Sequence, residues 1–282
     1  MKEEIETFAI IYTRMKIKHY IFLLISSFFI VACQENEDKI ILTDLSKEAN
    51  QLFDISNYWG ESLYFAMLNW EDYQQIAPCE LPGSPKISLE QTLKQVTLEF
   101  LPDTLCVKTG NAKRTGKIRL DYPSELSASG QWTVEYQGYT VNQDSISGIR
   151  RFLNSKSDEV TEQFENLELT SEEGVVSSFS GNFIHTITRS NLGLIGISSR
   201  GILSGTNPAG RDFTTEFISP RQILASCMKE NEILPFAGKE SWTVERGSNK
   251  KVIHQVNYES TQNCTVNATV TLSDGRNLIL TL

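Results

Sequence analysis

Trp132-Thr133-Val134-Glu135-Tyr136 carries apolar side chains at every second position, and Val96-Thr97-Leu98-Glu99-Phe100 does the same. Successive side chains of a β-strand point to opposite faces, so this period marks a strand with one buried and one solvated face, the habit of antiparallel sheets. Val266 to Leu272 repeats the pattern. Turn-forming residues separate such stretches at Thr109-Gly110-Asn111, Gly138, Asn207-Pro208-Ala209-Gly210, Gly247-Ser248-Asn249 and Asp274-Gly275. Strands at this spacing, about a dozen from residue 86 onward, predict a mainly β fold: an antiparallel meander curled or folded into a sandwich. The hairpin Thr269 to Leu282 reads as the cleanest, with Asp274-Gly275 as a type I′ turn. The acid-rich stretch 154–174 reads as a loop or hairpin near the middle, and no comparable helical run is expected after residue 77. The alternation would also suit a membrane barrel, but no aromatic girdles recur at the strand ends.

Ahead of the strands the apolar period changes to that of a helix. Leu45, Ala49, Leu52 and Phe53 share one helical face, with Thr43 or Asp44 as N-cap. A second apolar stretch, Leu63 to Trp70, lies between Gly60 and the stop signals Pro78 and Pro82. Residues 44–78 are therefore a short helical segment preceding an antiparallel β domain over 79–282. Phe53, Tyr58, Trp59, Phe65 and Trp70 are read as packing against the sheet.

Further upstream, Tyr20 to Val31 is uncharged and dominated by Ile, Leu, Phe and Val, behind Lys16, Lys18 and His19. A basic start and a short apolar run describe a secretory signal; a membrane span needs roughly 20 apolar residues. Ile30-Val31-Ala32-Cys33 closes it as a lipobox, so Cys33 is the expected lipidation site. Residues 1–32 are then an upstream extension and lipoprotein signal peptide, with translation starting at Met1 or Met15, and 33–43 a lipid-anchored tether. The acidic run Glu35, Glu37 and Asp38 resembles the export signal of Bacteroidota surface lipoproteins. The expected location is the cell envelope, anchored to the outer membrane and either surface-exposed or periplasmic.

The chain has 282 residues and a formal net charge of −9. Loss of residues 1–32 makes the remainder one unit more negative, which disfavours nucleic acid and other polyanionic partners. Apart from Cys33, four cysteines remain, an even number in an exported chain, which reads as two disulfides with three connectivities open. Cys79–Cys106 is favoured because its midpoint falls at the break around Gln91-Thr92-Leu93. In that register Ile87 faces Leu98 and Leu89 faces Val96, giving one apolar face on both strands. Cys227–Cys264 follows by elimination and brackets a hairpin at Gly247-Ser248-Asn249. Zinc is disfavoured, since no Cys-x-x-Cys pair occurs.

The whole pattern resembles a family of uncharacterised Bacteroidota cell-envelope lipoproteins. The likeness rests on the Cys79 to Cys106 hairpin, on Arg114-Thr115-Gly116-Lys117-Ile118 and on Tyr139-Thr140-Val141-Asn142 with Ile146 and Gly148. It continues in Leu203-Ser204-Gly205-Thr206-Asn207, in Cys227 and in the C-terminal Cys264 hairpin. It covers most of 79–282, departing at 154–174 and at the Pro-interrupted stretch 228–238. It implies a fold, two disulfides and an address; it carries no activity.

Chemistry is thinly represented. After signal removal only His185 and His254 remain, each in an alternating stretch, and there is no Gly-x-Ser-x-Gly elbow, phosphate loop or calcium loop. Asp121, Glu135 and Glu216 read as outward, solvated strand positions. No cofactor, metal or catalytic residue is implied, and the chain is read as a non-catalytic binding module for a glycan or protein. Trp132, Tyr136 and Trp242 are the candidate ligand-stacking residues, although each shares an apolar face with neighbours. An envelope structural or lipid-carrier role is the alternative, followed by a carboxylate-based hydrolase; a large apolar cavity inside a curled sheet would favour the carrier.

Overall fold

Asp44 caps the first described helix: its carboxylate accepts from the backbone N–H of Ser46 at 3.0 Å and of Lys47 at 3.3 Å. The computed structural model describes residues 44–282 apart from 103–105, 107–111, 124–129, 157, 192, 231, 248–249, 262–263 and 281–282. The signal, the lipobox and the Cys33 lipidation site lie outside the described residues. Three helices come first: α1 (Leu45–Glu61), α2 (Leu63–Ala66) and α3 (Trp70–Gln75). A reciprocal cap, Asn69 with Asp72, starts α3.

Thirteen strands follow in one open antiparallel sheet, each paired with its neighbour in sequence. They are β1 (Lys86–Glu90), β2 (Gln95–Phe100), β3 (Arg114–Asp121), β4 (Gln131–Val141), β5 (Asp144–Lys156), β6 (Glu159–Thr170) and β7 (Val176–Ser190). β8 (Gly193–Thr206), β9 (Asp212–Leu224), β10 (Ala237–Glu245), β11 (Lys251–Ser260), β12 (Val266–Thr271) and β13 (Asn277–Leu280) complete it. A five-residue helix, α4 (Ala225–Lys229), interrupts the meander after β9. The continuous ladder makes this a curled single sheet, not a sandwich.

The need for curling follows from α1. Every residue from 55 to 68 is buried, fourteen in succession, whereas a helix lying on a flat sheet keeps one face in water. Trp59 alone reaches four strands: its Nε1–H donates to Glu162 on β6, and its ring lies 4.0 Å from Phe183 on β7 and 5.8 Å from Phe217 on β9. The Arg150 guanidinium of β5 stands 5.8 Å from the same ring. In a flat sheet β5 and β9 would be roughly 19 Å apart at the usual strand spacing, beyond the span of one indole. The sheet therefore wraps around the helix. Register shifts between successive strand pairs from β3–β4 to β9–β10, the β4–β5 pair included, supply the bends. At Gly116 (φ 78°) a Cβ would lie 2.0 Å from the Gly138 carbonyl oxygen, so this crossing requires glycine.

Both disulfides form as read, Cys79–Cys106 and Cys227–Cys264. The β1–β2 register pairs Ile87 with Leu98 and Leu89 with Val96. Two further expectations hold, and one, at a turn, needs correction. The stretch 154–174 takes the hairpin alternative, as the end of β5, all of β6 and the turn into β7, with Val160, Glu162, Phe164, Leu167 and Leu169 buried on one face. After residue 77 the described residues hold no α-helix comparable to α1, only the five-residue α4, whose Cys227 is tied to Cys264. The turn at Asp274-Gly275 is not type I′: only Gly275 has positive φ (86°), and Leu272 N–H reaches the Arg276 carbonyl at 2.8 Å across a three-residue loop. Such a loop needs one left-handed residue, not two.

Candidate functional site

The concave face of the sheet carries charged side chains in phase with its apolar ones, and α1 meets them. Arg150 of β5 donates to Glu162 of β6 at 2.5 Å, to the Ser62 hydroxyl at 2.6 Å, to the Tyr136 hydroxyl at 3.0 Å and to the Trp59 carbonyl at 3.1 Å. Arg221 of β9 pairs with Glu240 of β10 at 3.1 Å and reaches Ser56 and Asn57 on α1. Gly60 leaves room for this guanidinium; a Cβ there would lie 2.6 Å from its Nη2. Glu61 holds Arg114 of β3 and accepts from the Tyr139 hydroxyl, while Glu48 holds Arg246 and contacts His254. Four buried Arg–Glu pairs thus fix the helix inside the sheet. Burial alone would raise the Glu162 carboxyl, but the Arg150 charge and the His185 bond outweigh it and hold it below the ordinary value.

His185 is part of a constellation. Its Nδ1 lies 2.8 Å from the Ser199 hydroxyl and its Nε2 2.9 Å from Glu162. Hydroxyl, imidazole and carboxylate in line is the arrangement of nucleophilic catalysis. Here all three residues are fully buried, Trp59 and Phe183 stack against the imidazole, and Glu162 already neutralises Arg150. The three form a buried polar contact between β6, β7 and β8.

The candidate stacking residues separate. Tyr136 and Trp242 are buried with their polar atoms turned inward, Tyr136 to Ser62 and Arg150, Trp242 to Glu240 at 3.0 Å. A ligand cannot stack on either in this structure, because both occupy the concave face that α1 covers. Trp132 also packs against the core, its ring 5.4 Å from Phe152, but it lines a cleft at one end of the sheet.

That cleft has a volume of about 1010 Å³. One wall is the segment 67–71 leading into α3; the other is formed by the ends of β3 to β7 and the adjoining turns. Three side chains pin the first wall to the sheet. Trp132 Nε1–H donates to the Ala66 carbonyl at 2.9 Å and the Tyr122 hydroxyl to the Leu68 carbonyl at 2.7 Å. Arg189 of β7 donates to the Met67 carbonyl and, at 2.8 Å, to Asp72, the residue that also caps α3. The cavity is thus preformed, which lowers the ordering cost of binding. Trp70, Tyr122 and Trp132 line it together with Met67, Leu68, Val160 and Ile187, and its charged residues are Lys94, Lys156 and Arg189 against Glu71 and Asp158. Sequence reasoning picked out Trp132 alone; Trp70 and Tyr122 reach the cleft only through the turns that bring distant segments together.

Away from the cleft, Asp54 of α1 lies near Asp144 of β5, whose side chain accepts from the Glu172 N–H. Burial first, then the Asp144 charge, push the Asp54 carboxyl up to about 7 from its ordinary 3.8. The folded state therefore holds this proton where the unfolded chain has lost it, so the contribution of Asp54 to stability is greatest at low pH and is lost as pH rises from 3.8 to about 7. Asp54→Asn is expected to stabilise the chain by about 1–2 kcal/mol at pH 8, allowing for partial exposure, and to change little at pH 4. Paired urea titrations at the two pH values check this.

Among the described residues there is no cluster of three or more His, Cys, Asp or Glu suited to a metal, and no helix long and apolar enough to cross a membrane. Comparison of the chain with protein-family models, with curated proteins and with solved structures finds no match in any of the three.

Proposed function

We propose that this chain is a lipid-anchored protein of the cell envelope and works there as a non-catalytic binding module, its ligand held in the cleft beside Trp132. The observation that carries the reading is the cleft itself, preformed by three side-chain-to-backbone bonds and walled by aromatic rings. A carrier of acyl chains would use the concave face of a curled sheet, and that face is filled by α1 and its ion pairs. Two disulfides fit an oxidising compartment outside the cytoplasm. The lipobox at Cys33 and the resemblance to Bacteroidota lipoproteins support the same address.

Two measurements test the two halves of the proposal. Cys33→Ala should move the protein from the membrane fraction to the soluble one; retention at the membrane would refute the lipid anchor. For the cleft, Thr188→Trp adds bulk at an exposed lining position without touching the core. A glycan and peptide array should yield a ligand whose saturable effect on tryptophan fluorescence disappears in Thr188→Trp. Array binding that ignores this substitution would move the site elsewhere.

A further inference from the structure

We infer that the cleft holds an extended peptide, added as a short strand to a free edge of β7; this rests on the binding-module reading and names its ligand class. Thr186, Ile187, Thr188 and Arg189 line the cleft in succession. Because successive side chains of a strand point to opposite faces, a cavity that touches all four lies against the edge of the strand and not over one face.

β7 outruns its neighbour at this edge. The β6–β7 ladder ends at Glu159 with Thr186, and one further bond, from the Ile187 N–H to the Asp158 carbonyl at 2.7 Å, closes it. No Asp158 N–H returns to the Ile187 carbonyl. β7 itself runs on to Ser190, which pairs with Gly193 across the turn into β8. The N–H and C=O of one residue point to the same side of a strand, and that side alternates, so those of Arg189 face the way those of Ile187 do, away from β8. The register shift here places its extra residue, Ile195, on β8 and leaves the alternation of β7 intact. Among the described residues the Ile187 carbonyl and the Arg189 N–H therefore have no main-chain partner. An acceptor and a donor two residues apart on one edge match the main chain of a polypeptide, which strand addition at such an edge exploits. From Ile187 to Ser190 the edge offers about 10 Å of strand. The Arg189 side chain, bonded to the Met67 carbonyl and to Asp72, fixes the opposite wall. Lys94, Lys156 and Arg189 stand against Glu71 and Asp158, so recognition falls to the main chain and not to one sign of charge.

The test uses the full chain in a zwitterionic detergent, an array of random linear peptides, and backbone N-methyl variants of the tightest-binding peptide. Binding should be lost in Thr188→Trp and should weaken about tenfold when the peptide N–H that meets Ile187 is methylated. Methylation of the two flanking residues should be tolerated, since their N–H groups face away from β7. Hydrogen exchange at the Arg189 amide of the parent chain should slow in the complex. Thr188 is exposed, so an unchanged melting temperature confirms that Thr188→Trp folds. A peptide lost in Thr188→Trp but tolerant of methylation at every position would overturn strand addition and keep the cleft. Failure of every peptide would overturn the ligand class, and a glycan lost in Thr188→Trp would then keep the cleft as the site. Peptide binding that persists in Thr188→Trp and leaves Arg189 exchange unchanged would overturn both the inference and the binding-module reading of the cleft.

Discussion

Arg150→Met should lower the stability of the chain by about 3–5 kcal/mol, the usual cost of removing one partner of a buried ion pair. Arg150 is completely buried, and its loss would leave Glu162 with only His185 and the Trp59 indole N–H, and would take a donor from the Ser62 and Tyr136 hydroxyls and the Trp59 carbonyl. Domains of this kind are stable by about 5–15 kcal/mol, so the single variant would lose a large share of its margin. The informative companion is Arg150→Met with Glu162→Leu, which removes both charges. Because an apolar replacement of a whole buried pair is often nearly neutral, the double variant should recover much of the loss. Urea midpoints of the parent, both single variants and the double variant check this. A cost below about 1 kcal/mol for Arg150→Met would mean that the pair is solvated, as exposed pairs are.

Trp59→Ala is expected to cost about 3–5 kcal/mol as well, for a different reason. The indole is fully buried at the centre of the curled sheet, stacked on Phe183 at 4.0 Å and flanked by the guanidinium groups of Arg150 and Arg221 at 5.8 and 5.7 Å. Truncation opens a cavity that the sheet cannot collapse to fill, because strands on opposite sides are held apart by the same helix. Trp59→Phe retains most of the packing and loses the N–H to Glu162, so its cost should be well under that of Trp59→Ala. Equal losses for the two would place the stability in the hydrogen bond and not in the packing. Trp132→Phe offers a contrast, since Trp132 sits at the rim of the core and its substitution should act mainly on the cleft wall.

The strand architecture was legible because alternation is a local signal. β2, β4 and β12 each show it within one short window, and the positions of Cys79 and Cys106 fixed the register of β1 against β2 before any coordinates. The choice between a curled sheet and a sandwich was not legible, since it depends on what the concave face encloses. Arg150, Glu162, His185, Glu240 and His254 all stand in phase with apolar neighbours two residues away, such as Phe152, Phe164, Phe183, Trp242 and Val256. A charged side chain on the buried face of a strand demands a partner from above that face. Glu48 and Ser56 on α1 meet His254 and Glu240, and Trp59 with Ser62 just past the helix meets Glu162 and Arg150, while His185 is satisfied by Glu162 and Ser199. Reading the two sets together would have placed the helix inside the sheet.

The cleft was less legible than the fold for a physical reason. Its walls come from the segment 67–71, from Lys94, Tyr122, Trp132 and Asp158, and from β7, which no local window brings together. The solvated reading of Asp121 and Glu135 was sound in outline, both being partly exposed, yet each is engaged by Arg119, at 3.1 and 2.6 Å. Trp132 lies at the cleft because it stands at the end of β4, where the strand meets the 67–71 wall, and not because its ring is exposed on the sheet.

Amide chemical-shift mapping on the ¹⁵N-labelled chain, titrated with the ligand selected on the array, locates the bound ligand without assuming a site. The shifts should gather on residues 67–71, on Tyr122 and Trp132, on 154–160 and on 186–189, leaving α1 over 45–57 and the outward face of β8 to β11 unmoved. Shifts spread along that outward face, or confined to α1, would show that the chain binds through a surface other than the cleft.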